Sequence, residues 1–156
     1  MNQPSPIIRL AQPGDVETII SLCAEHAAYE QASYCPEGKK QKLHELLFST
    51  APRLFCFVAD VNNNIIGYTT CSIEVSTWDA ATYLHMDCLY IQASYRSMGI
   101  GRLLLQANKQ LAIEKNCHQL QWQTPAFNTR AAQFYLREGA EARDKIRFSM
   151  KTENGY

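Results

Sequence analysis

The turn Arg96-Ser97-Met98-Gly99-Ile100-Gly101 lies between an apolar, strand-like run at 83–91 and an amphipathic stretch at 102–115. No other feature restricts the fold as much. Two glycines one residue apart let the backbone pass close to whatever lies at the start of the following helix. Several N–H groups there point at one place, which suits an anion such as a phosphate. The turn is not a dinucleotide fingerprint, because position 104 is leucine where a third glycine would stand, and no G-x-x-x-x-G-K-[ST] occurs. Taken alone, Gly99 and Gly101 do no more than turn a strand into a helix, or else cradle an anion.

The elements around this turn follow from periodicity. A first strand is expected at 7–11, and Pro13-Gly14-Asp15 breaks it. Asp15 is placed to cap a helix running to about Ala27, with Val16, Ile19, Ile20 and Cys23 on one face. A second helix at 39–49 carries Leu43, Leu46 and Leu47, and Pro52 closes it. Strands at 54–60 and 65–75 flank Asn62-Asn63-Asn64, an asparagine turn that makes them a hairpin. Gly67 inside the second of these marks a bulge or a close backbone approach. A fourth strand covers 83–91. After the turn, Ile100, Leu103, Leu104, Ala107 and Leu111 form a helical stripe. A fifth strand is expected at 118–124, a last helix at 129–138 capped by Asn128 and stopped by Gly139, and a final strand at 145–151. The order is β-α-α-β-β-β-α-β-α-β, an α/β (α+β) chain whose mixed sheet of six to seven strands has helices on both faces.

Length and charge narrow the functions. The 156 residues suit a single domain spanning 1–156. Fifteen Lys+Arg balance fifteen Asp+Glu, which gives no electrostatic ground for a nucleic-acid partner or an anionic membrane. Residues 1–6 lack the charged start and apolar core of a signal peptide. The six cysteines contain no C-x-x-C pair and are read as reduced cytoplasmic thiols. The four histidines show no zinc-site spacing, so no metal is expected.

Two motifs together carry a family resemblance. Arg96-x-x-Gly99-x-Gly101, after a strand and opening a helix, resembles the acyl-CoA-binding motif of the GNAT N-acetyltransferase superfamily. Asn128-x-x-Ala131-x-x-Phe134-Tyr135-x-x-x-Gly139 resembles that superfamily's second motif, and the element order is similar to its fold. The likeness extends from Ile7 to Lys151. Ser97-Met98 departs from the frequent glycine or lysine, at positions that act through backbone N–H groups.

The resemblance implies acetyl-CoA as co-substrate. Its pyrophosphate would take N–H bonds around Ser97, Met98, Gly99, Ile100, Gly101, Arg102 and Leu103, with Arg96 and Arg102 adding charge or remaining surface residues. The amide-bearing arm would pair with the strand edge Cys88-Leu89-Tyr90-Ile91, where a bulge splays it from the fifth strand. The thioester carbonyl would meet a backbone N–H near Leu89. Asn128 and Ala131 belong to the second part of the cofactor site. Tyr135 resembles the tyrosine that protonates the departing thiolate; otherwise it is a core aromatic beside Phe134. Asp87 and His85 share a strand face and are the candidate bases, or ordinary hydrogen-bonded side chains.

The segment Glu25-His26-Ala27-Ala28-Tyr29-Glu30 resembles the acidic-aromatic segment of diamine acetyltransferases, and Asp87 aligns with an acidic residue of polyamine and thialysine acetyltransferases. Glu25, Tyr29, Glu30 and Asp87, with Trp78 and Asp79 in the preceding loop, are therefore the expected acceptor contacts, Glu25 being equally at home as surface charge. The implied activity is transfer of acetyl from acetyl-CoA to a small-molecule primary amine. A protein N-terminus or lysine is the rival acceptor, and an acyl-CoA-binding sensor without turnover is the rival outside the enzymes. A homodimer is expected by resemblance.

Overall fold

In the computed structural model, which describes residues 4–153, the apolar runs assemble into one five-stranded sheet. Residues 1–3, part of the N-terminal stretch without a signal-peptide pattern, lie outside the described residues. The elements are β1 (Ile7–Leu10), α1 (Val16–Tyr29), α2 (Lys39–Phe48), β2 (Phe55–Val61), β3 (Asn64–Ser76), β4 (Ala81–Ile91), α3 (Ile100–Glu114), β5 (Leu120–Gln121) and α4 (Thr129–Arg137). They fall into two compact units, Met1–Pro125 with the sheet and α1 to α3, and Ala126–Tyr156 with α4.

In the first unit the strands lie side by side in chain order. β1 to β4 pair antiparallel, while β5 joins β4 in parallel, with Leu84 opposite Leu120, so the sheet is mixed. Asn62 and Asn63 both adopt left-handed backbone, φ 54° and 64°, which matches the right-handed twist of the hairpin they close. One sheet face packs on α1 and α2 through Ile19, Leu22, Leu47, Cys56, Val58, Tyr68 and Tyr90. The other packs on α3 through Ala59, Ile66, Ile91, Ile100 and Leu104, continued by Cys71, Leu84, Leu111 and Ala112.

Gly67 shows both features expected of it. The β2–β3 register shifts beside it, between Ala59 and Asp60. A Cβ at Gly67 would also stand 2.8 Å from the Tyr90 carbonyl oxygen. A glycine is what lets β3 and β4 approach this closely.

A second bulge lies in β4. Thr70 faces Cys88 and Cys71 faces Met86, so Asp87 is the extra residue. The bulge reverses which side chains meet which layer. Before it, Leu84 joins the α3-side core; after it, Cys88 and Tyr90 join the α1–α2 side, and Leu89 and Ile91 the α3 side.

Three expectations are corrected. The fifth strand is two residues long rather than 118–124: its ladder stops at His85 and Gln121, because the bulge at Asp87 turns the β4 edge away immediately beyond. No strand forms at 145–151, where Ile146, Phe148 and Met150 are 81–92% exposed. Period-two alternation there meets no ladder partner among the described residues. The sheet thus has five strands instead of six or seven. Finally, the α3 stripe is Ile100, Leu104, Leu105, Asn108, Leu111 and Ala112, while Leu103 faces outward.

In the second unit, the Asn128 carboxamide oxygen accepts from the Ala131 N–H at 3.2 Å and caps α4, as its position suggests. Gly139 follows the helix with φ 92°, and the Ala140 N–H returns to the Tyr135 carbonyl at 3.0 Å.

Candidate active site

β4 ends at Ile91, a 3₁₀ turn at Ala93–Tyr95 follows, and the chain enters α3 through Ser97 and Gly99, both left-handed at φ 62° and 78°. Gly99 is the residue before the helix. Its carbonyl accepts the first helical bond, from the Leu103 N–H at 3.2 Å. The amides of Ile100, Gly101 and Arg102 come before that bond and emerge at the positive end of a fifteen-residue helix. The Ile100 side chain is buried and anchors the turn, whereas Met98 and Leu103 stand outward. The buried Ile100 side chain therefore positions the turn, and the N–H groups at the start of α3 belong to its backbone.

Arg96 is engaged within the protein. Its Nε donates to the Ile91 carbonyl at 2.9 Å, and its guanidinium carbon lies 4.4 Å from the Tyr29 ring centroid and 5.4 Å from that of Tyr90. It ties the start of the turn to the end of β4 and to α1.

The β4 edge next to the turn has a definite polarity. Beyond His85 it has no described ladder to β5. The Cys88 carbonyl points into the sheet, where the Thr69 hydroxyl donates to it at 2.7 Å. Peptides here are trans and planar, so the Leu89 N–H points the opposite way, out of the open edge. Asp87 is exposed at the bulge, and the Cys88 thiol lies 3.7 Å from its carboxylate. Burial, then the Asp87 charge, push that thiol up to about 12, so Cys88 is a poor nucleophile. His85 is half-buried on the same strand.

On the α1–α2 side, α1 supplies a polar and aromatic cluster. Glu25 accepts from the Tyr90 hydroxyl at 3.2 Å and from Gln92 Nε2 at 3.2 Å. Burial, and then Glu25, hold the Tyr90 phenol above its ordinary range, so it stays a donor. His26 stacks on Tyr90 with centroids 5.2 Å apart. Its Nε2 lies 3.2 Å from the Glu30 carboxylate, which can only accept, so Nε2 carries a proton, and its Nδ1 lies 3.1 Å from the Tyr68 hydroxyl. The expected acceptor contacts Glu25, Tyr29 and Glu30 are thereby brought beside Tyr90. One face of Tyr29 is already taken by Arg96.

Trp78 and Asp79 are placed elsewhere, at the tip of the β3–β4 hairpin. Trp78 is fully exposed, and Asp79 is bound to Ser76 at 2.6 Å and His118 at 3.4 Å. Seven residue steps along β4 separate Ala81 from Cys88, roughly 23 Å at the usual rise. In the second unit, Tyr135 is half-buried on α4 with its ring 5.2 Å from that of Phe134, and Ala131 lies in the first turn of α4.

The family model described as acetyltransferase (GNAT) family matches residues 20–140. The chain belongs to this family. Among relatives it is 28% identical over 143 residues to the thialysine N-epsilon-acetyltransferase of Bos taurus, covering 86% of this chain and 84% of that protein. It is 29% identical over 123 residues to the protein of the same name from Caenorhabditis elegans, covering 79% and 75%. Its fold is similar to that of an aminoglycoside N-acetyltransferase solved with CoA, at TM-score 0.81 and 20% identity over 96% and 97% of the two chains. A metagenomic aminoglycoside acetyltransferase solved with sisomicin matches at TM-score 0.78, 20% identity and 94% and 95% coverage.

As a GNAT acetyltransferase the chain is an acyltransferase enzyme, and its named relatives act on amines. No helix among the described residues is long and apolar enough to cross a membrane. Among the same residues no cluster of three His, Cys, Asp or Glu could hold a metal. Thr69 and Asn108, which pair behind the β4 edge, were not marked by the sequence: they lie 39 positions apart, and no local pattern reports such a pairing. Only Asn108, a polar residue on the apolar stripe of α3, leaves a trace that could have been noticed.

Proposed function

We propose that this enzyme transfers acetyl from acetyl-CoA to a primary amine of a small cationic molecule, of the thialysine or polyamine kind, by direct attack in a ternary complex. The observation that carries the proposal is the open β4 edge, with the Leu89 N–H turned outward and followed in the chain by the glycine turn that opens α3. The edge Cys88, Leu89, Tyr90 and Ile91 would take the amides of the CoA arm, and the backbone from Ser97 to Leu103 its pyrophosphate. Gly99 fits this: a Cβ there would meet nothing within 4 Å, so the turn is open on that side. When bound, acetyl-CoA supplies an activated acyl group and a thiolate leaving group.

The chain's own groups do the rest. The Leu89 N–H faces the carbonyl oxygen as it gains charge. Asp87, exposed at the bulge, takes the ammonium proton, directly or through water, with His85 as the second base on the strand. Glu25 and Glu30 make the acceptor side negative, and the amine relatives support a cationic substrate. Cys88 carries no acyl group, because its thiol stays protonated. Tyr135, on the resemblance of its motif and with Asn128 and Ala131 in the same helix start, returns a proton to the CoA thiolate. The family match crosses both units, which supports one functional domain over 1–156. A cytoplasmic homodimer is the setting that the resemblance implies.

The test is kinetic. Tyr135→Phe is expected to lower kcat by about 100-fold with little change in the acetyl-CoA KM. An unchanged kcat removes Tyr135 from the mechanism. Asp87→Asn is expected to move the acidic limb of the pH–rate profile, and an unmoved limb removes Asp87 as the base.

A further inference from the structure

Asn108 has no reason to be polar on packing grounds. It sits on the apolar stripe of α3 between Leu104 and Leu111 and is fully buried. Its Nδ2 stands 2.7 Å from the Thr69 hydroxyl, and that hydroxyl stands 2.7 Å from the Cys88 carbonyl. Thr69 is also fully buried. A threonine hydroxyl has one proton, and a carbonyl can only accept. The proton therefore goes to Cys88, and Asn108 must present its NH2 to Thr69. The Asn108 carboxamide oxygen is left buried without a partner. A leucine would suit this position better for packing alone.

We infer that Asn108 and Thr69 are positioning residues that orient and polarise the Cys88–Leu89 peptide from behind. Asn108 holds the Thr69 hydroxyl in one rotamer and strengthens it as a donor, because hydrogen bonds in a chain polarise one another. The hydroxyl pulls electron density toward the Cys88 oxygen. The Leu89 N–H at the other end of that peptide becomes a stronger donor and is fixed toward the open edge. The bulge at Asp87 frees this N–H from the ladder, and the relay keeps it from swinging. The catalytic part of this inference rests on the proposed acyl transfer; the electronic part does not.

The test uses the full chain. Thr69→Val alone strands the Asn108 amide and threatens folding, so the informative variant is Thr69→Val with Asn108→Leu, two near-isosteric changes that leave no buried side-chain polar group behind and take only the hydroxyl's bond from the Cys88 carbonyl. It is expected to unfold at the wild-type temperature or above, while kcat falls roughly tenfold and the acetyl-CoA KM stays nearly constant. Thr69→Ser, which keeps the hydroxyl, is expected to retain wild-type kcat. In nitrogen-15 NMR the Leu89 amide nitrogen is expected to move upfield in the double variant and to stay in place in Thr69→Ser. A folded double variant with unchanged kcat, or an unmoved Leu89 resonance, overturns the relay. If the wild type turns over no amine, the acyl-transfer reading fails on that result, and the Leu89 resonance still decides the relay.

Discussion

Replacing Gly67 by alanine tests how the site is held. The new Cβ would lie 2.8 Å from the Tyr90 carbonyl oxygen, 3.2 Å from Ile91 Cγ1 and 3.4 Å from Ile91 Cα. The first of these is a backbone atom one pair in from the end of the β3–β4 ladder, so no side-chain rotation relieves it. β4 must retreat by about half an ångström, and overpacking of this kind costs about 1–3 kcal/mol. Alanine also restricts the unfolded chain and returns about 0.4–1 kcal/mol. The net loss is about 1–2 kcal/mol, which at this size lowers Tm by roughly 2–8 °C. The strand that retreats carries Leu89, so kcat is expected to fall as well. Gly14→Ala is the control: its Cβ meets nothing within 4 Å, and its Tm is expected to equal or slightly exceed that of the wild type. Thermal unfolding followed by circular dichroism measures both. A Gly67→Ala protein as stable as Gly14→Ala would refute the close approach of β3 and β4.

Two further outcomes follow from the titrating groups. Asp15 is held below the usual carboxylate range by Arg9, at 2.7 and 3.2 Å, while the Gln12 N–H also donates to it at 2.7 Å. A depressed carboxylate stabilises the fold fully above its unfolded pKa and loses that contribution as pH falls through the folded value. Asp15→Asn is therefore expected to cost about 1 kcal/mol at neutral pH and to converge on wild type in acid, once the pH has fallen through the depressed folded value; denaturant titrations at several pH values check this, and a constant difference contradicts it. Cys88→Ala is expected to keep kcat within about threefold, because a thiol pushed up to about 12 is no acyl carrier. Mass spectrometry of the enzyme after acetyl-CoA, without acceptor, is expected to find Cys88 unacetylated, and an acetyl thioester there would overturn direct transfer.

The parts of this fold that were legible in the sequence are those where a residue type answers a local backbone demand. Gly99 and Gly139 occupy left-handed positions at the two ends of helices, Asn62 and Asn63 close a hairpin, Asn128 caps α4, and Gly67 permits a close approach. The parts that failed depend on a partner elsewhere. The stretch at 145–151 alternates like a strand, but a strand needs an edge to pair with. β5 is cut short by a bulge in a different strand. Along α3, apolarity alone selects Leu103 and passes over Asn108, whereas packing on the sheet buries Asn108 and leaves Leu103 outward. The same holds in the site. The glycine turn and the acidic bulge could be located from sequence, but Arg96 resting on Tyr29 joins positions 67 residues apart in the chain, and Trp78 and Asp79, near the site in sequence, lie at the far hairpin tip.

An enzyme that acetylates a small cationic amine releases the CoA thiol in step with that amine's acetylation. Thiol release from acetyl-CoA, measured with the purified chain against thialysine, lysine, spermidine and an unmodified N-terminal peptide, with products identified by mass, tests this coupling most directly. The prediction is thiol release coupled to acetylation of one or more of the small amines, well above the rate without acceptor and above that with the peptide. Binding of acetyl-CoA without release for any acceptor, or release with the peptide alone, would contradict it.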